Sequence, residues 1–204
     1  MSLTLKKILC SILSGFMLTA SFPPGKTGWI AWFAIIPLLK SIQGTSPFIA
    51  FRLGIIAGLA HFLTLIYWII SVLGTYGGLN NMVSFGILIL LCLYLSLYPG
   101  LFSVLSSYLG GFRFPVLTTA TIWVSLEFIR AIFLTGFPWC LLGYSQYRHP
   151  ILIQIVDLVG VYGISFMIVA VNALFYTLFF KGNAPFIKRL VRAETVSYTH
   201  LRAH

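Results

Sequence analysis

The chain has 204 residues, of which 59% are hydrophobic, 16% aromatic and only 8% charged, with a mean hydropathy of +1.00. A soluble domain carries about 25% charged residues, so this composition excludes one and defines a polytopic membrane protein. The net charge of +10 does not indicate a nucleic-acid partner, because its basic residues are dispersed between apolar spans instead of gathered with aromatics on one surface.

The expected fold class is all-α, a polytopic membrane bundle of about six transmembrane helices with the N-terminus inside. The spans fall at roughly 5–22, 27–43, 48–73, 82–110, 116–135 and 158–180, to within several residues. Lys6-Lys7 ahead of an apolar stretch resembles a signal peptide, but Phe22-Pro23-Pro24-Gly25 offers no small-x-small cleavage pattern, so the segment is read as a retained first span. Ile8-Leu9 before Cys10 lacks the small residue of a lipoprotein processing site, and the chain is not read as a lipoprotein itself. Pro23-Pro24-Gly25 interrupts any continuous helix, which makes the first two short spans a tight hairpin that need not cross fully twice.

The third span carries Gly54 and Gly58, a small-xxx-small pair that predicts an interior helix. From Leu53 to Phe112 there is no Asp, Glu, Lys or Arg, enough for two spans and the turn-rich loop Gly74 to Asn81. The fifth span carries Glu127 and Arg130, three apart on one helix face and able to pair. Asp157 opens the sixth span, where an acid suits a helix N-terminus. Asn172 lies mid-span, placed to bond another helix.

Lysine and arginine counting sets the orientation. With the N-terminus inside, Lys6, Lys7, Lys40, Arg52, Arg113, Lys181, Lys188, Arg189 and Arg192 fall inside, and only Lys26 and Arg148 outside. The loop from Gly136 to Asp157 therefore faces away from the cytoplasm. Residues 1–192 form one multi-pass domain. Residues 193–204, ending Val196-Ser197-Tyr198-Thr199-His200-Leu201-Arg202-Ala203-His204, abandon the apolar rhythm, resemble translated sequencing-adapter sequence, and are read as an artefactual or disordered tail on a fragment.

Ionisable groups inside a membrane span are expensive unless paired or facing water, which singles out Glu127 and Arg130. The helix bearing them runs into Gly136-Phe137-Pro138-Trp139 and then Gly143-Tyr144-Ser145-Gln146, where Trp139 and Tyr144 suit the headgroup level. Glu127, Arg130, Gly136, Phe137, Pro138, Trp139, Gly143, Tyr144 and Gln146 are thus the candidate lipid mouth. The plainer readings are an ion pair that glues helices and an ordinary aromatic belt.

Cys140 has no His within four residues and apolar neighbours, a poor setting for a nucleophile. His61 reads as a packed helix contact, and His149, before Pro150, as a solvated turn residue. Cys10, Cys92 and Cys140 have no ligand-like spacing, so neither a metal nor a cofactor is expected. No catalytic set assembles from these residues.

Trp123-Val124-Ser125-Leu126-Glu127-Phe128-Ile129-Arg130, Thr135 to Trp139, Leu142 to Gln146 and Gly160-Val161-Tyr162-Gly163-Ile164-Ser165-Phe166 resemble the membrane domain of bacterial apolipoprotein N-acyltransferases. Weaker agreement extends to Phe22-Pro23-Pro24, Trp32, Pro37-Leu38-Leu39, Gly54, Gly58, Tyr67 and Trp68. The resemblance covers about residues 5–192. It implies a bacterial inner-membrane protein whose outer loops face the periplasm or cell exterior. It also implies a membrane phospholipid as acyl donor and a diacylglyceryl apolipoprotein as acceptor. The family's Glu-Lys-Cys set belongs to a nitrilase-like domain beyond a further span, so the chain by itself is expected to be inactive. A small transporter would show repeated halves with paired broken spans, and no repeat is visible. A non-catalytic membrane scaffold is the third reading.

Overall fold

A computed structural model describes residues 3–109 and 114–180. The expected inner cations Arg113, Lys181, Lys188, Arg189 and Arg192, and the tail 193–204, lie outside those residues. Among the described residues the fold is all-helical: α1 (Leu3–Ala20), α2 (Ile36–Ile42), α3 (Pro47–Leu65), α4 (Ile69–Thr75), α5 (Asn81–Leu109), α6 (Pro115–Ile132) and α7 (Pro150–Phe179), with short 3-10 segments at Gly28–Trp32, Phe133–Thr135 and Leu142–Gln146. The starts of α2, α3, α6 and α7 carry proline in the first turn, where its missing N–H costs nothing and its fixed φ suits the helix. Four helices, α3, α5, α6 and α7, are long and apolar enough to cross a membrane, and α1, with 18 residues, stands beside them.

The bundle is organised around α3 packed along α5. A Cβ on Gly54 would run into the Pro99 carbonyl and Ser103 Oγ, and one on Gly58 into Ser96, so the small-residue pair sits at the closest approach of the two backbones. The interior placement expected for α3 is met along this stripe: Ala50, Leu53, Gly54, Ala57, Gly58, His61 and Phe62 are buried. The main core joins α1, α2, α3, α5, α6 and α7 through Leu18, Leu38, Leu53, Phe102, Leu126 and Ile168. A second, smaller core gathers Phe62, Ile66, Leu88 and Leu95, and receives Phe137 from the loop after α6.

Three spans differ from the sequence expectation. The second, at 27–43, is not one helix but the 3-10 turn Gly28–Trp32 followed by the seven-residue α2. It is nonetheless among the most buried parts of the chain, with Ala31, Ala34, Ile35 and Leu38 fully enclosed. Irregular backbone survives at such depth only if protein satisfies it. Asn172 Nδ2 donates to the Ala31 carbonyl at 2.9 Å, the Ile35 N–H donates to Asn172 Oδ1 at 2.9 Å, and Ser14 Oγ donates to the Ala34 carbonyl at 2.6 Å. Asn172 thus bonds a neighbouring segment as expected, but a broken one.

The third span stops at Leu65 and resumes as α4 after Ile66–Trp68. Thr64 Oγ1 lies 2.6 Å from the Ala60 carbonyl and 3.1 Å from that of His61, bonding back into the last turn of α3. Tyr67 and Trp68 beyond it are exposed. The sixth span starts earlier than 158: α7 begins at Pro150 and breaks at Gly160, whose φ of +69° and ψ of 175° only glycine adopts readily. Asp157 consequently lies inside the first segment of α7 and does not cap it; His149 holds the N-cap position. His61 is a packed contact as read from sequence, buried, with Nδ1 3.0 Å from Thr19 Oγ1 and its ring against Phe22.

Replacing Asn172 by Leu keeps the volume but strands the Ile35 N–H and leaves the Ala31 carbonyl only the long bond from the Ala34 N–H, at about 1–3 kcal/mol for the buried group left unpaired. The expected outcome is a thermal midpoint in detergent several degrees below that of the parent chain, read by tryptophan fluorescence. An unchanged midpoint would show that the broken segment finds other partners.

Candidate functional site

The chain leaves α6 by an abrupt turn. Leu134 and Gly136 both take positive φ, 49° and 81°, and the Phe137 N–H returns to donate to the Arg130 carbonyl at 2.8 Å. A Cβ on Gly136 would collide with the Ala131 carbonyl, so this reversal needs glycine. Phe137 then points into the smaller core while Pro138 and Trp139 remain at the surface, Trp139 60% exposed and set edge-on to Phe137 at 5.3 Å.

Glu127 and Arg130 are both buried, on the same face of α6, beneath this turn. They do not close the ion pair expected of them; among the described residues each is spent on loop backbone. Glu127 Oε1 accepts from the Leu142 N–H at 2.8 Å. Arg130 Nη2 donates to the carbonyls of Trp139 at 3.3 Å and Cys140 at 3.2 Å, with its guanidinium 5.6 Å from the Phe62 ring centre. The reason is geometric: residues 139–142 run extended or in turns, so their amides and carbonyls lack helical partners, and the two charges stand directly under them. Charge-assisted bonds of this kind are stronger than neutral ones.

The remaining predicted residues divide by role. Gly143 packs against Val161 of α7 so closely that a Cβ would meet its carbonyl, and its N–H donates to Ser165 Oγ at 2.9 Å. Gln146, expected at the mouth, is instead fully enclosed and works as a brace: its Nε2 donates to the Gly28 carbonyl at 2.8 Å and its Oε1 accepts from Trp32 Nε1 at 3.2 Å. Tyr144 is 46% exposed on the same end of the molecule as Trp139. Of the nine candidates, then, Pro138, Trp139 and Tyr144 face outward, and the buried members hold the loop that presents them.

Under the loop lies a cavity of about 40 Å³ bordered by His61, Phe62, Tyr98, Trp123, Glu127 and Arg130. Glu127 Oε2, Arg130 Nε and Trp123 Nε1 are buried there without a protein partner. Trp123 and Ser165 stand beside the carboxylate, and Ser165 Oγ also accepts from the Gly143 N–H. Leu142 as the partner of Glu127 and Trp32 as that of Gln146 were not legible in sequence, because the first contact depends on the reversal after α6 and the second joins positions 114 residues apart.

Cys140 also takes a positive φ, 60°, and burial pushes its thiol above the ordinary range, with Arg130 opposing the rise. A raised thiol is a poor nucleophile at neutral pH, in agreement with the sequence reading.

Together these features define a helical membrane domain whose loop end carries a backbone-clamped, aromatic-tipped ledge. Residues 14–174 match the family model described as the apolipoprotein N-acyltransferase N-terminal domain, and the chain belongs to that family. It is 44% identical over 177 residues to the apolipoprotein N-acyltransferase of Geobacter metallireducens, a match covering 83% of this chain and 33% of the relative. The enzyme of Wigglesworthia glossinidia brevipalpis is 32% identical over 197 residues, covering 94% of this chain and 39% of the relative. That of Pasteurella multocida is 30% identical over 171 residues, covering 82% and 32%. The chain thus spans 32–39% of the length of these curated relatives.

The clamp makes a prediction about Cys140. In a background with Cys10 and Cys92 replaced by Ser, maleimide should label Cys140 slowly, and the rate should still be climbing with pH above about 8.5, the midpoint of a free thiol, because the raised thiol holds its proton there. Glu127→Ala removes the Leu142 anchor and should speed labelling roughly tenfold, as loss of about 1.4 kcal/mol would; Glu127→Gln, which keeps an acceptor, should not. Equal rates in all three would show that the loop does not depend on Glu127.

Proposed function

We propose that this chain is the membrane domain of an acyltransferase that moves an acyl chain from a membrane phospholipid to the N-terminal diacylglyceryl-cysteine of a lipoprotein. In this reading the loop 136–149 and the end of α6 form the ledge where the two lipids approach. The observation that carries the proposal is the division of labour in the loop: buried Glu127, Arg130 and Gln146 fix its backbone, while Trp139 and Tyr144 are left free at the surface. A loop serving only to connect α6 to α7 would not need two buried charges to hold two rings outward. Trp29, Tyr67 and Trp68 are exposed at this same end, as a headgroup belt would be.

The membrane is the bacterial inner membrane, with the ledge facing away from the cytoplasm. The distribution of described cations supports this orientation: Lys6, Lys7, Lys40 and Arg52 sit at the end opposite the loop, where Lys7 Nζ also donates to the Gln43 carbonyl at 3.2 Å, and only Lys26 and Arg148 sit at the loop end. The chemistry belongs to the soluble domain implied by the resemblance, with its Glu-Lys-Cys set. The membrane domain contributes position: it brings an acyl ester and a lipoprotein amine to one height above the bilayer, the kind of orientation that makes acyl transfer effectively unimolecular.

Trp139→Ala in a complete homologous enzyme should lower the acylation rate on the order of tenfold with the folded protein unchanged in amount, since one well-placed ring at a lipid interface is worth about 1–1.5 kcal/mol. The check is a gel-shift assay of lipoprotein peptide acylation alongside the thermal midpoint. Unchanged rates with stable protein would sink the ledge.

A further inference from the structure

Lys26 and Arg148 are separated by most of the chain, yet they border one pocket of about 220 Å³ at the loop end, together with Tyr147, His149 and the backbone of Gly25 and Gly28. Gln146 causes this convergence. By bonding Gly28, 118 residues away, and Trp32 at once, it docks the turn after α1 onto the loop before α7 and fixes the pocket walls. A Cβ on Gly28 would collide with the Ser145 carbonyl, so the two segments are in backbone contact there.

The pocket is built for negative charge. Arg148 Nε donates to Tyr147 Oη at 2.7 Å and the guanidinium lies 5.4 Å from that ring's centre, which orients the side chain and leaves its terminal nitrogens available for a planar oxyanion. Among the described residues neither cation meets an acid: Glu127 is committed to Leu142, and Asp157 lies on α7 away from the pocket. The N-terminus of α7 opens at the same place, with His149 as N-cap, and adds its positive end. Around this polar spot the surface is apolar. Ile151 is 78% exposed at the start of α7, and Trp29 is exposed on the facing turn. A cationic pocket set in an apolar, aromatic-belted rim matches an amphiphile with a phosphate at its head and hydrocarbon beside it.

We propose that Lys26 and Arg148 bind the phosphate of a membrane phospholipid, docking its headgroup next to the ledge formed by Trp139 and Tyr144. This deepens the functional reading above and rests on it for the identity of the lipid, while the phosphate chemistry rests on the pocket alone. Both side chains are exposed and brace nothing, so replacing them leaves the bundle intact.

The test uses the purified full chain in a non-ionic detergent free of phosphate, with dioleoylphosphatidylglycerol compared against dioleoylglycerol, which has the same chains and no phosphate. Native mass spectrometry reads the fraction of lipid-bound protein at each concentration. The expected result is that Lys26→Gln with Arg148→Gln weakens phosphatidylglycerol binding by about tenfold or more, as loss of charge-assisted bonds predicts, with dioleoylglycerol binding and the thermal midpoint unchanged. Single Arg148→Lys, which keeps charge but loses the planar fork, should give an intermediate loss. Inorganic phosphate distinguishes the source. Competition at millimolar concentration that the double substitution abolishes supports the site as one for free phosphate as well, and no competition supports a site that requires the lipid. Equal affinity for the two lipids, or undiminished phosphatidylglycerol binding in the double variant, overturns the proposal. If Trp139→Ala still lowers acylation in the complete enzyme when this happens, the ledge stands and only the anion pocket fails.

Discussion

A backbone amide or carbonyl that leaves a helix within hydrocarbon must find a protein partner or cost several kcal/mol. Two of the places where this bundle leaves its helices, 28–35 and 136–146, are bound by side chains from other elements. Asn172 and Ser14 take the first. Glu127, Arg130 and Ser165 take the second, and Gln146 ties the two together. The polar residues of this otherwise apolar chain are therefore not a scattered minority. They form a scaffold for irregular backbone, and the loop end of the molecule has its shape because of them.

That scaffold changes what the intramembrane charges signify. Glu127 and Arg130 are not a simple ion pair gluing helices; each bonds the backbone of the loop. They convert burial into loop geometry, and through it govern the surface residues Trp139 and Tyr144. A charged side chain can thus shape a surface it does not reach, acting through the backbone it holds in place.

Much of this was legible in the sequence where the signal was local. Hydropathy located α3, α5, α6 and α7. The Gly54 and Gly58 pair identified the face of α3 that meets α5, and the linked motifs from Trp123 to Phe166 were enough to suggest the family. What escaped was nonlocal. The second span read as a helix because its residues are apolar; that its backbone breaks could be inferred only from Asn172, which sits 137 residues from its partner Ile35. Gln146 looked like a mouth residue because its neighbours in sequence are, while its actual partners, Gly28 and Trp32, belong to the first hairpin. The break at Gly160 was hidden by the apolar residues immediately on both sides, and α7 starts at Pro150, which leaves Asp157 without a cap to make.

The unequal lengths of the helices carry a consequence for the lipid around them. At 1.5 Å per residue, the 29 residues of α5 extend about 44 Å and the 18 of α6 only about 27 Å, against a hydrocarbon core of about 30 Å. The long helix must tilt or project, whereas the short one ends below the headgroups and still exposes Phe128, Ile132 and Leu134 to lipid at its upper end. Hydrophobic mismatch of this sign is relieved by local thinning, at fractions of a kcal/mol per Å. Thinning of that kind beside α6 would bring the bilayer surface toward the loop that Glu127 and Arg130 secure.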